Sequence, residues 1–179
     1  MICINYLDNK NIRSDIEPLF VSAFPENERP TADYYFASFD SDNKKLFGFY
    51  DNDLFVGFAS VVLYEDICYI FFLAVDENKR QKGYGSKILD SIKRMYEKYV
   101  ILLCYEEVDK KYKDYEKRRK RETFYLKNGF ISNNLKTNEF GVVFQTVYYG
   151  SHQVSFEQYQ QIFATGFGQW CIKHLKIAN

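Results

Sequence analysis

A glycine-rich run near the middle of the chain has residue types suited to binding phosphate. The run is Arg80-Gln81-Lys82-Gly83-Tyr84-Gly85. It lies between a predicted strand that ends at Val75 and a predicted helix that begins near Tyr84, so backbone N–H groups converge at a helix N-terminus, where an anion is favoured. Gly83 and Gly85 remove side chains that would block the close approach of a pyrophosphate. A G-x-G pair alone also occurs in tight turns without a ligand, so the prediction depends on the flanking strand and helix.

The sequence on both sides of this run extends the pattern. Leu73-Ala74-Val75 precedes it, and Ile88-Leu89 continues the spacing Arg-x-x-Gly-x-Gly-x-x-Ile-Leu. A second segment, Phe124-Tyr125-Leu126-Lys127-Asn128-Gly129-Phe130, follows at the end of a predicted helix. Together these segments resemble the acetyl-CoA signature and the second motif of the GNAT superfamily of N-acetyltransferases. The resemblance covers most of the chain and implies an acetyltransferase that uses acetyl-CoA as cosubstrate.

The resemblance implies a set of contacts with acetyl-CoA. Backbone amides of residues 81–86 would bind the pyrophosphate, and the strand before the loop would contact the pantetheine arm and the acetyl carbonyl. Two parallel strands that splay apart after Val75 would leave N–H and C=O groups for the pantetheine, and one N–H would polarise the thioester carbonyl. This reaction needs no metal. The residues assigned to the cofactor are Leu73, Ala74, Val75, Arg80, Gln81, Lys82, Gly83, Tyr84, Gly85 and Ser86.

The resemblance places Tyr125 at the position whose phenol protonates the departing CoA thiolate. An unperturbed phenol has a pKa of about 10, so it stays protonated at neutral pH and can donate to the leaving sulfur. The alternative is that Tyr125 only packs, because the chain contains 16 tyrosines and 17 phenylalanines. Family members often have an asparagine seven residues before this tyrosine, where this chain has Arg118. At that position the chain therefore lacks the side-chain amide that would form one hydrogen bond to the cofactor.

Four acidic residues are candidates for handling the acceptor amine. An alkylamine is protonated at neutral pH, so a carboxylate is expected to take its proton before attack. We predict Glu106 for this catalytic role, because it ends a strand beside the predicted splay. We predict Glu28 for recognition of a cationic acceptor. Glu26 and Glu107 are the alternatives, and each of the four would also fit an exposed surface position.

The predicted elements place these residues on a mixed α/β fold. Three apolar runs separated by short polar turns, at residues 46–50, 54–64 and 67–75, predict an antiparallel meander. The strand, helix and strand that carry the glycine run predict a parallel βαβ unit. The fold class is therefore a GNAT-like mixed sheet, with an antiparallel N-terminal meander and a parallel βαβ unit with splayed strands, flanked by helices.

Helix signals lie on both sides of this sheet. Ser14-Asp15-Ile16-Glu17 has the form of a capping box that opens the first helix, and Ser155-Phe156-Glu157-Gln158 has the same form near the carboxy terminus. A charged helix is predicted over about residues 109–128. We expect residues 1–150 to form the acyltransferase domain and residues 151–179 to form a helical extension packed on it.

The composition argues against several classes of protein. Twenty-four basic residues balance twenty-four acidic ones, so no overall field favours nucleic acid or an anionic membrane. No apolar run is long enough to span a bilayer and the first residues lack a secretory signal, so we expect a cytoplasmic location. The four cysteines and two histidines have no zinc-ligand spacing, and we predict no metal. Cys104 is a rival nucleophile, but no histidine lies near it in sequence.

The sequence as a whole predicts an N-acetyltransferase that acts by direct attack in a ternary complex. Its acceptor would be an amine of a small molecule or peptide. The alternative is a non-catalytic sensor or regulatory module that binds acyl-CoA, because both motifs would serve binding alone. No nucleic-acid or membrane partner is expected, and the chain would be a monomer or a homodimer.

Overall fold

A computed structural model describes residues 1–26 and 29–178 of the chain. In these ranges it contains eight strands and five α-helices. The strands are β1 (Ile2–Asn5), β2 (Lys44–Asp51), β3 (Leu54–Tyr64), β4 (Ile67–Val75), β5 (Val100–Glu106), β6 (Ile131–Glu139), β7 (Val142–Tyr149) and β8 (Leu175–Ile177). The helices are α1 (Arg13–Ala23), α2 (Ala32–Ala37), α3 (Tyr84–Met95), α4 (Tyr115–Lys127) and α5 (Phe156–Phe167).

The strands form a mixed sheet in the order β1-β2-β3-β4-β5-β7-β6-β8. Strand β4 pairs with β5 in parallel, with Ile67 opposite Val100 and Tyr69 opposite Leu102. Antiparallel pairing joins β1 to β2, β2 to β3, β5 to β7, and β6 to both β7 and β8. Helix α3 connects the two parallel strands, as parallel pairing requires. The predicted class, a mixed sheet flanked by helices, is confirmed.

Contacts between residues divide the chain into two compact units. The first contains Met1–Val62 and Ile70–Met95, and the second contains Leu63–Tyr69 and the chain from Tyr96 onward. Residues 151–178 belong to the second unit. The domain boundary that we predicted at residue 150 stays a prediction.

The first unit has a core made largely of aromatic rings. Phe20 stacks on Tyr35 with ring centroids 4.1 Å apart, and it meets Phe72 edge-on at 5.3 Å. Phe20, Tyr35 and Phe58 are all buried. Aromatic pairs at these separations contribute beyond the area they bury. Many of the phenylalanines and tyrosines therefore serve the core of this unit.

The carboxy-terminal segment packs on the second unit through α5 and pairs with its sheet through β8. Helix α5 buries Tyr159, Ile162 and Phe163, and Leu175 of β8 pairs with Glu139 of β6. The predicted capping box of α5 is confirmed: the Gln158 backbone N–H donates to the Ser155 hydroxyl, and the Ser155 N–H donates to the Gln158 side chain. Strand β8 was not predicted, because a three-residue strand at an edge has no detectable period.

Two helix starts differ from the prediction. Helix α1 begins at Arg13, so Ser14 lies inside it and donates to the carbonyl of Asn11; the predicted capping box there is wrong. The preceding helical turn is capped instead by Asn9, whose side chain accepts from the Asn11 N–H. Helix α4 begins at Tyr115 rather than near residue 109, because the Asp109 side chain accepts from the Lys111 N–H and forms a separate turn.

None of the helices in the described part of the chain combines the length and the apolar character that a membrane crossing demands.

Candidate functional site

The glycine loop, residues 81–86, joins the end of β4 to helix α3 in the first unit. Gln81 and Gly83 have left-handed backbone angles, with φ of 62° and 79°. A Cβ atom added to Gly83 would meet no atom within 4 Å, so glycine is required there for its backbone conformation and the space above it is open. The first N–H groups of a helix have no partner within the helix. The start of α3 therefore leaves backbone donors without helical partners, next in sequence to the open position at Gly83, and such donors can bind an anion.

Side chains on both sides hold the glycine loop in place. Asp76 accepts from the Asn78 N–H at 2.8 Å and starts the turn before the loop. The Arg80 guanidinium donates to the Val75 carbonyl at 3.2 Å. The Tyr84 hydroxyl donates to Asp51 at 2.7 Å, which ties the start of α3 to the turn between β2 and β3. Asp51 and Asp76 were not predicted as site residues, because each has the sequence context of an ordinary turn residue.

Gly57 brings β3 close to the strand that precedes the loop. A Cβ atom at Gly57 would collide with the Ala74 carbonyl and would lie 3.1 Å from Cα of Val75. Ala74 is buried, while Leu73 and Val75 are half-buried. These are the strand residues predicted to contact the cofactor. Gly57 was missed because the need for glycine arises from a strand that follows it in sequence.

Tyr125 lies near the end of α4, in the second unit, and only 9% of its surface is exposed. Its ring stacks on Tyr105 with centroids 5.8 Å apart and meets Phe130 at 6.0 Å. Burial raises the pKa of Tyr125 to about 12, although the nearby Arg121 opposes the shift. The phenol therefore keeps its proton at neutral pH, as a proton donor must. Tyr125 is both packed and suited to donation.

Glu106 and Glu107 end the same strand but have different partners. Glu106 forms an ion pair with the Arg121 guanidinium. Glu107 accepts from Lys111 at 2.8 Å and from Lys136 at 3.0 Å, and these lysines lower its pKa to about 2. Glu107 is consequently a poor proton acceptor at neutral pH.

The structure gives less information about Glu26 and Glu28, the two acids predicted in the acidic loop. Glu26 is exposed. Glu28, which we predicted to recognise a cationic acceptor, lies outside the described residues. Its role stays a prediction.

Arg118, which stands where an asparagine was expected, forms hydrogen bonds and a ring contact within the protein. Its guanidinium donates to Asp114 and to the Glu107 carbonyl and lies 4.0 Å from the ring centroid of Tyr112. These contacts fix the segment between β5 and α4. The substitution therefore has a structural use within the second unit.

Cys104 is a weak candidate for a nucleophile. Burial raises the pKa of its thiol well above the ordinary value of 9.0, and a thiol is far less nucleophilic than a thiolate. Its sulfur lies 3.0 Å from the Tyr69 hydroxyl. Among the described residues, no three histidine, cysteine, aspartate or glutamate side chains are grouped to hold a metal ion.

The predicted site residues thus fall into two sets. Those assigned to the cofactor belong to the first unit, and Tyr125 and Glu106 belong to the second. Arg121 connects the latter two, because it contacts Glu106 and acts electrostatically on Tyr125. The roles given to both sets stay predictions.

Comparison with known proteins bears on the identity of the chain. Residues 42–132 match the family model of the acetyltransferase (GNAT) domain, a range that includes the glycine loop and Tyr125. None of the curated proteins matches the chain.

Solved structures with a similar fold include several acetyltransferases. A GNAT-family structure from Bacteroides thetaiotaomicron has a TM-score of 0.77 and 18% identity, and the match covers 94% of this chain and 99% of that one. The aminoglycoside 6'-N-acetyltransferase from Enterococcus faecium has a TM-score of 0.67 and 16% identity, covering 83% and 96%. The ribosomal-protein-S18-alanine N-acetyltransferase from Escherichia coli has a TM-score of 0.62 and 14% identity, covering 87% and 97%. At sequence identities this low, the similarity to these structures establishes the fold alone.

Proposed function

Because this chain belongs to the GNAT acetyltransferase family, we propose that it transfers an acetyl group from acetyl-CoA to an amine of a small molecule or peptide. The observation that carries the proposal is the glycine loop, whose left-handed Gln81 and Gly83 lead into the N-terminus of α3. An aminoglycoside 6'-N-acetyltransferase of similar fold was solved with coenzyme A, which supports the choice of cofactor. The range of acceptors among the structural neighbours supports an amine of either kind.

In this proposal the first unit binds and polarises acetyl-CoA. Backbone N–H groups of residues 81–86 and the dipole of α3 bind the pyrophosphate, with Arg80 at the entrance of the loop. Leu73, Ala74 and Val75 contact the pantetheine arm and the acetyl group. A backbone N–H of this strand stabilises the negative charge that develops on the thioester oxygen.

The second unit supplies the proton for the leaving group. The amine nitrogen attacks the carbonyl carbon directly, the C–S bond breaks, and Tyr125 donates its phenolic proton to the departing thiolate. The raised pKa of Tyr125, about 12, keeps the proton available at neutral pH. Glu106 and Glu28 remain the residues predicted from the sequence for the acceptor amine.

Release of CoA tests the proposed function. The chain is mixed with acetyl-CoA and a panel of alkylamines, aminoglycosides and amino-terminal peptides, and free thiol is titrated over time. We expect thiol release that depends on the amine, with acetylated amine detected by mass spectrometry in equal amount. Tight binding of acetyl-CoA by calorimetry without release for any amine would favour the sensor instead.

A further inference from the structure

A buried line of polar side chains crosses the interior of the second unit. The Tyr69 hydroxyl lies 3.0 Å from the Cys104 sulfur and 3.2 Å from the Tyr159 hydroxyl. The Tyr159 hydroxyl donates to Glu139 at 2.5 Å. These four residues, here called the relay network, come from β5, β4, α5 and β6. Tyr69, Tyr159 and Glu139 are 1%, 0% and 8% exposed, while Cys104 is partly exposed.

A buried carboxylate in such a position needs an explanation. Removing a charged group from water is costly unless it is paired with a charge or hydrogen-bonded. Glu139 accepts two hydrogen bonds on one oxygen, from Tyr159 and from Thr137 at 2.7 Å, and its neighbours in the sheet are Val142 and Leu175. An apolar residue between those neighbours would fit the core at lower cost. A buried carboxylate at this position is therefore better explained by a chemical use than by packing.

The hydrogen bonds of the relay network have one consistent direction. Each hydroxyl has a single proton, and an ionised carboxylate only accepts. Because Tyr159 uses its proton on Glu139, its oxygen accepts from Tyr69. The Tyr69 oxygen then accepts from the thiol of Cys104. Every proton in the line points toward Glu139, so a proton that enters at Cys104 can be taken up by the carboxylate through one shift along each bond.

The Cys104 end of this line is within electrostatic range of the proposed proton donor, Tyr125. Cys104 raises the pKa of Tyr125, and Arg121 acts on both groups in the opposite sense. The reaction also requires a group that removes a proton from the acceptor, because an alkylamine is protonated at neutral pH. Two lysines lower the pKa of Glu107, and Glu106 is already paired with Arg121. The proton-accepting role that the sequence predicted for Glu106 is therefore open to another carboxylate.

We propose that the relay network carries the proton released by the acceptor amine from Cys104 to the carboxylate of Glu139. This inference rests on the proposed acetyl transfer. Tyr159 and Glu139 lie outside the residues that match the family model, 42–132, so the assignment comes from this chain's own contacts. Glu139 and Tyr159 act through other groups and are positioning and relay residues rather than groups that touch the substrate.

In each turnover the relay moves one proton from the acceptor ammonium to Glu139. The acceptor ammonium gives one N–H proton to Cys104, each member passes its own hydrogen to the next, and Glu139 becomes a carboxylic acid. The neutral amine then attacks, the C–N bond forms and the C–S bond breaks. Tyr125 protonates the thiolate, and the second proton of the attacking nitrogen restores the Tyr125 phenol. Glu139 returns its proton to solvent after turnover.

The protonation of the groups around Glu139 suits this role. The titratable groups that face it are Tyr159 from α5, Tyr69 from β4 and Cys104 from β5, and burial raises the pKa of all three. They therefore stay neutral and pass protons without losing them. Burial also raises the pKa of Glu139, which makes it a stronger proton acceptor than an exposed carboxylate.

The test compares Glu139→Gln and Tyr159→Phe with the wild type, using the amine that gives the fastest CoA release. At neutral pH, kcat/KM for the amine should fall about 10²-fold in each variant, while calorimetric affinity for acetyl-CoA stays unchanged. In the variants kcat/KM should then rise about tenfold per pH unit toward the amine's own pKa, since only unprotonated amine reacts. A structural defect would not be corrected by raising the pH. Tyr148→Phe, a buried tyrosine on β7, is the matched control and should behave as wild type.

The entrance of the network has its own pair of variants. Cys104→Ser keeps a proton-bearing group and should retain most of the activity, whereas Cys104→Val removes it and should resemble Glu139→Gln. Variants whose pH profiles run parallel to the wild-type profile would overturn the relay and leave the acetyltransferase assignment intact. Failure of the wild type to release CoA with any amine would overturn both proposals.

Discussion

The glycine loop is a site made of backbone groups, whereas the relay network is made of side chains. The loop is built from backbone: its conformation depends on positive φ angles at Gln81 and Gly83, and the space around Gly83 is open. The relay network uses side chains from four elements, and three of them, Tyr69, Tyr159 and Glu139, are buried. A backbone site tolerates changes in side chains that point away from it, whereas a site built from side chains fails when one hydroxyl is lost. The two regions should therefore respond differently to mutation.

Gly85→Glu should have the largest effect, because it should abolish binding of acetyl-CoA at the glycine loop. Gly85 lies in the first turn of α3, where a glutamate is compatible with the helix dipole and with folding. The added negative charge would repel the pyrophosphate at close range, so calorimetric titration should detect no binding of acetyl-CoA. Gly85→Ala, which adds one methyl group, is the control and should retain measurable affinity. Wild-type affinity in a folded Gly85→Glu protein would remove the loop from the cofactor site.

Tyr125→Phe should separate chemistry from binding in the second unit. The ring contacts with Tyr105 and Phe130 remain while the hydroxyl is lost, so affinity for acetyl-CoA should be unchanged. The single-turnover rate should fall about 10²-fold, within the range of general acid catalysis. Single-turnover kinetics excludes slow product release as the limiting step. A variant as fast as wild type would show that Tyr125 only packs.

Gly57→Ala should show that a clash with backbone atoms costs more stability in the first unit than a clash with side-chain ends. Its Cβ atom would meet the backbone of Ala74 and Val75, which cannot rotate away, so the free energy of unfolding should fall by about 1–3 kcal/mol. Gly48→Ala is the control, because its Cβ atom would meet the ends of the Tyr50 and Ile12 side chains. Urea unfolding of both variants measures the difference, and equal effects would contradict the explanation.

Glu139→Gln should change how stability depends on pH. Burial raises the native pKa of Glu139 above the ordinary value of 4.5, so this group's contribution to stability is full below that value and is lost as pH rises through the native pKa. The wild type should lose up to about 1.4 kcal/mol per pH unit from this group in that window, and the variant should not. Urea unfolding at several pH values tests this. The lowered pKa of Glu107 acts at lower pH and affects both proteins alike.

The sequence predicted the position of the loop between a strand and a helix, and it did not predict the relay network. Arg80, Gly83 and Gly85 stand within one short run, and local spacing fixes both their identity and their place between a strand and a helix. Glu139 and Tyr159 are adjacent only after β6 and α5 have packed, and their hydrogen bond spans 20 residues. The Tyr69 and Tyr159 hydroxyls meet across 90 residues. The periodicity of a sequence indicates local secondary structure and gives no information on contacts between residues far apart in the chain.

The fold was predictable for the same reason that the loop was. The meander and the βαβ unit are made of neighbouring elements with clear apolar runs, and both are present. Strand β8 and the start of α1 were missed, because each depends on a single edge pairing or cap. Gly57 was missed because its partner, Ala74, lies on a later strand.

The position of Tyr159 in the chain also has a consequence for synthesis. A nascent polypeptide can assemble the first unit once Met95 has emerged, since every segment of that unit precedes it. The early residues of the second unit, Leu63–Tyr69, must wait for partners made much later. Until α5 is translated, Tyr69 and Glu139 have no Tyr159 to bind, and the end of β6 has no β8. We therefore expect the two units to mature in order on the ribosome, with the amino-terminal half structured while the other half is still open to chaperones and proteases.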